Sequence, residues 1–78
     1  MFSIVKYKSQ NQFWHYHEEA KGVMSLAEHN IEIKGLGRAL RNRGAIVRFV
    51  MMNDESYLNW LNGREDSSQH RAEWAKEQ

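Results

Sequence analysis

Gly44-Ala45-Ile46-Val47-Arg48-Phe49-Val50-Met51-Met52 is the one stretch where apolar residues dominate for more than a few positions. Read as a strand, Ala45, Val47, Phe49 and Met51 point one way and Ile46, Val50 and Met52 the other. Only Arg48 breaks the second face. Its β-branched and aromatic content and its short length favour strand over helix. A strand apolar on both faces belongs inside a sheet with something packed on each side. This stretch therefore predicts an α+β protein.

Working outward, Leu36 to Arg43 reads as a short helix before the strand. Leu36, Ala39 and Leu40 face inward, Arg38, Arg41 and Arg43 face out, and Gly44 follows the helix end. Behind the strand, Asn53 or Asp54 caps a second helix. In it, Tyr57, Leu58, Trp60 and Leu61 make an apolar stripe, and Gly63 ends it. Asp66 or Ser67 caps a last helix to about Lys76, with Ala72, Trp74 and Ala75 as its apolar contacts.

Toward the N-terminus, Phe2 to Tyr7 reads as a strand and Ser9-Gln10-Asn11-Gln12 as a turn. Phe13 to His17 then forms a second strand, closing an antiparallel hairpin. Between Glu18 and Lys34 two readings compete. One is a further hairpin, Val23 to Leu26 and Ile31 to Lys34 about a turn at Glu28-His29-Asn30. The other is a helix from Ser25, because Ser25-Leu26-Ala27-Glu28 fits a capping box. Gly35 and Gly37 count against a long helix, at about 1 kcal/mol each relative to alanine, so the hairpin is preferred. The resulting expectation is a single α+β domain over residues 1–78. It has a small antiparallel or mixed sheet of three to five strands, with two to three helices packed on one face.

The chain has 78 residues and no cysteine, which removes disulfides, thiolate zinc sites and cysteine nucleophiles. No leader-like or membrane-spanning apolar run is present, so a cytoplasmic protein is expected. A core of this size supplies only about 3–5 kcal/mol. Three tryptophans, three tyrosines and three phenylalanines can fill it or be buried between two chains, and a homodimer is the default expectation.

Net charge is +1, but charge is unevenly distributed. Lys34, Arg38, Arg41, Arg43 and Arg48 fall in a segment without acids. From Phe49 onward six acids outnumber three bases. The basic segment is a candidate nucleic-acid surface, with Trp14 and Tyr16 as stacking groups. The competing account pairs its arginines with Asp54, Glu55, Glu65 and Asp66. His15 and His17, two apart, share one face of a strand and are a bare metal-ligand pair lacking a third ligand fixed by sequence.

A small ribonuclease could use His15, His17 or His29 with Arg38 or Arg41 on a phosphate, but no spacing selects that arrangement. No catalytic motif and no cofactor fingerprint is present. Lys34-Gly35-Leu36-Gly37-Arg38 lacks the third glycine of a dinucleotide loop. Tyr57, Trp60 and Trp74 are the large aromatics expected at a protein interface, since aromatics anchor such contacts. The leading expectation is a non-enzymatic binding, adaptor or inhibitor-type protein that acts through protein–protein contacts as a homodimer. Nucleic-acid binding through Lys34–Arg48 is second, and a histidine-dependent ribonuclease or metal protein third.

Overall fold

The structure, a computed structural model, describes residues 1–78. Two strands, β1 (Phe2–Lys6) and β2 (Val47–Met51), pair in parallel. Four helices surround them: α1 (Gln10–Tyr16), α2 (Leu26–Asn42), α3 (Asp54–Leu61) and α4 (Ser68–Lys76). A single 3₁₀ turn at Glu18–Ala20 links α1 to α2. The protein is α+β, as its central stretch predicts.

Each helix start is written in the sequence. The side chains of Ser9, Ser25, Asn53 and Ser67 each accept a backbone N–H of their helix's first turn. At Ser25 the capping box is complete, with Glu28 reaching back to the Ser25 N–H. Asn62 and Gly63 adopt left-handed backbone after α3, and Gly44 does so after α2.

Registered residues of parallel strands share a face. Ser3 and Val5 lie beside Arg48 and Val50, whereas Ile4 lies beside Phe49. Val47 and Phe49 face α2, where the Phe49 ring tip lies 3.0 Å from the place a Cβ on Gly37 would take. The opposite face carries the main core, in which Tyr7, Phe13, Tyr16, Met52, Tyr57, Leu61, Trp74 and Ala75 are buried together. The sheet is thus the middle of three layers, α2 on one side and α4 with α1 and α3 on the other.

Several expectations are corrected. Residues 13–17 are helix, not strand. Ser9 caps that helix, and the i, i+3 pair Phe13 and Tyr16 is buried. The N-terminal hairpin therefore does not exist. Nor does a hairpin at residues 23–34, because the capping-box reading holds and α2 runs unbroken through Gly35 and Gly37. The expected short helix at Leu36–Arg43 is the second half of α2. The sheet has two parallel strands rather than three to five antiparallel or mixed ones, and helices cover both its faces. No helix is long and apolar enough to cross a membrane.

Candidate functional site

A parallel pair needs each strand to direct alternate residues at its neighbour. Phe2 N–H donates to Ile46, and Met52 N–H donates to Lys6. Even-numbered residues of β1 therefore bond β2. The N–H and C=O groups of Ser3 and Val5 point the other way, along a free edge. A groove of about 420 Å³ follows that edge. Ile33 and Leu36 of α2 form one lip, and Ser68, Arg71 and Ala72 of α4 the other.

One end of the groove is polar. The Tyr7 hydroxyl lies 3.0 Å from Nε2 of His17, whose Nδ1 lies 3.2 Å from Glu19. His29 stacks on Phe13 at 4.5 Å and stands 5.7 Å from the His17 ring. Its Nε2 is buried without a hydrogen-bond partner. Burial, then the nearby His17, holds the His29 pKa below its usual value. Burial pushes the Tyr7 hydroxyl up to about 12, against the opposing pull of Arg71. Arg71, 7% exposed, is fixed at 2.6 Å on Asp66, which also accepts from Tyr57. Elsewhere the groove is open, with Leu36 52% exposed.

The residues singled out by sequence are dispersed. Tyr57 and Trp74 sit in the core, 0% and 1% exposed. Trp60 is half-buried. It donates to Glu77 and carries the Arg64 guanidinium on its ring at 4.3 Å. His15 and His17 diverge on leaving α1, because residues two apart in a helix are turned by about 200°. His15 lies edge-on to Tyr16, and His17 joins the Tyr7 cluster. No three histidine, aspartate or glutamate side chains converge on one point.

Within the basic segment, Lys34, Arg38 and Arg41 lie on one flank of α2, while Arg43 caps the helix and turns away. Arg48 leaves the set altogether. It reaches the far face of the sheet and donates to Ser3 Oγ and to the carbonyls of Ala75, Lys76 and Gln78 at the end of α4. The ion pairs expected between the basic segment and the C-terminal acids are absent. The two ion pairs present are Arg71–Asp66 and His17–Glu19.

A hairpin partner on β1, as the sequence predicts, would occupy the edge along which the groove runs. Its sequence signal is the roughly common stripe of Leu26, Ile33, Leu36 and Leu40 along α2, of which Leu36 stays exposed. No protein-family model matches the chain, and no curated protein or solved structure matches it.

Proposed function

We propose that this chain is a non-enzymatic binding module acting through protein–protein contacts, and that it pairs with a second copy of itself along the free edge of β1. The observation that carries this reading is the row of unpaired backbone groups at Ser3 and Val5, lying in a groove whose α2 lip, Ile33 and Leu36, is apolar. Such an edge is a template for another strand. Antiparallel pairing of β1 with its counterpart is self-complementary about a two-fold axis. It makes a four-stranded mixed sheet, within the three to five strands expected from sequence. Leu36 and Ala72, both exposed, then meet their own counterparts across the axis.

Two further facts support a second copy as the occupant. The molecule exposes 5433 Å² at 9.3 kDa, against about 5,000 Å² for a monomer of this mass. A net charge of +1 leaves little repulsion between copies.

Sedimentation velocity tests the reading. The wild-type chain is expected to run as a dimer, and Leu36→Glu as a folded monomer, because it sets two carboxylates face to face at the axis. A wild-type chain that stays monomeric as concentration rises would overturn it.

A further inference from the structure

The other flank of α2 carries a second surface. Along α2, Lys34, Arg38 and Arg41 are spaced i, i+4, i+7, so their side chains form one line rising about 6 Å and then about 4.5 Å. Lys6 of β1 extends this line beneath the helix. Its Nζ stands 5.9 Å from the centre of the Phe49 ring, and the Arg41 guanidinium stands 5.7 Å from the same ring. None of these four cations meets a carboxylate. The acids of α2, Glu28 and Glu32, are turned more than a quarter-turn away on the helix surface.

Beside the line lies a pocket of about 310 Å³. It is lined by Lys6, Asn30, Ile31, Ile33, Lys34 and Phe49. The Asn30 Oδ1 has no hydrogen-bond donor within the protein.

We infer that this flank is a separate binding site for single-stranded nucleic acid, with phosphates on Lys6, Lys34, Arg38 and Arg41 and one base in the pocket between Lys6 and Lys34. Arg41 donates to the Val47 carbonyl, but none of the four cations has a carboxylate partner, so a polyanion would supply charge complementarity. An acidic peptide would satisfy the charges too, but its aspartate and glutamate side chains leave the pocket lined by Phe49, Ile31 and Ile33 unfilled, whereas a flat base fills it. A duplex keeps its bases stacked and cannot offer one. The site lies on the other flank of α2, meets the groove along β1 at Ile33, and does not depend on dimer formation.

Geometry also divides the basic segment that sequence treats as one. Lys34, Arg38 and Arg41 belong to the site together with Lys6, whereas Arg43 and Arg48 do not.

The test is fluorescence anisotropy of a labelled oligouridylate across a salt series. With four phosphates neutralised, log K falls with log salt at a slope of about −2.8. Binding then weakens about 50-fold from roughly 50 to 200 mM salt. Lys34→Gln with Arg38→Gln, both exposed and without side-chain hydrogen bonds, should lower the slope to about −1.4 and the loss to about 7-fold. Arg43→Gln should leave both unchanged. The proposal is overturned if the oligonucleotide does not bind at low salt, or if Arg43→Gln reduces the slope as much as the double variant. It is equally overturned if a duplex binds as tightly as the single strand, or if polyglutamate competes as well as the oligonucleotide.

Discussion

Arg48 is the residue whose surroundings most change the meaning of its neighbours. It interrupts an apolar strand, and a half-buried cation there calls for a partner. The partner is no acidic side chain but the main-chain oxygens at the end of α4 and just beyond it, which carry the negative end of the helix dipole. One side chain thereby satisfies the carbonyls of Lys76 and Gln78, shares that of Ala75 with the Gln78 N–H, and ties α4 to β2 and, through Ser3, to β1. Arg48→Met removes every one of these donors. A hydrogen bond from a charged group contributes about 1.5–3 kcal/mol, and losing the set should cost about 2–3 kcal/mol in urea unfolding. The contribution is to folding, so unchanged stability would show that the α4 contact is idle.

His29 gives the residue-scale pH dependence. Its folded pKa lies below the unfolded value because burial and His17 disfavour the cation. In the interval between the two values the unfolded chain binds more protons than the folded one. The contribution of His29 is therefore complete above about 6.5, the unfolded value, and is lost as pH falls through the folded pKa. His29→Gln should flatten the stability profile just below that pH, leaving the carboxylate-driven loss at lower pH in place. Parallel profiles for the two proteins would remove His29 as the cause.

At the scale of elements, α2 decides the topology. Its glycines cost about 1 kcal/mol each, yet the helix has a full capping box and 17 residues, and its burial against β2 outweighs the propensity loss. The two glycines differ. Gly35 has nothing within 4 Å of an added Cβ, whereas at Gly37 the Phe49 tip would be 3.0 Å away. Gly35→Ala should therefore raise stability by about 1 kcal/mol. Gly37→Ala should give less or turn negative, since the helix must lift off the strand. Equal gains at both sites would deny the close approach.

The same contrast explains what could be read from sequence. β1, β2, α3 and α4 carry local signals that agree with their packing, namely β-branched runs, an asparagine or serine cap and a glycine stop. In α1 the order Phe13-Trp14-His15-Tyr16-His17 is large at every position, so strand and helix periods fit alike. The deciding mark is Ser9 followed three residues on by Gln12, a cap-type spacing that composition alone reads as a turn. In α2 the glycines argued locally against a helix that tertiary contact with Phe49 requires. Once these two helices are misread as hairpins, the free edge of β1 and the basic flank of α2 both vanish. Each exists only because β1 has a single partner and α2 is one continuous cylinder.

At the scale of the whole molecule, two parallel strands are an unusually small sheet to stand alone, since parallel sheets are normally covered on faces and continued at edges. Here the faces are covered and the β1 edge is not. If a second copy completes that edge, folding and association are one equilibrium, and apparent stability must follow protein concentration. Once the dimer is saturated, each tenfold rise in concentration adds about 1.4 kcal/mol per dimer, about 0.7 per chain. For a domain of this size that raises the melting temperature by roughly 3–5 °C. Leu36→Glu, placed at the proposed axis and half-exposed in the single chain, should melt at one temperature whatever its concentration. That temperature should match the wild-type chain at its most dilute. Scanning calorimetry over a concentration series separates the outcomes. A wild-type melting temperature that does not move would mean the edge stays open in solution, and that β1 is stable without a neighbour.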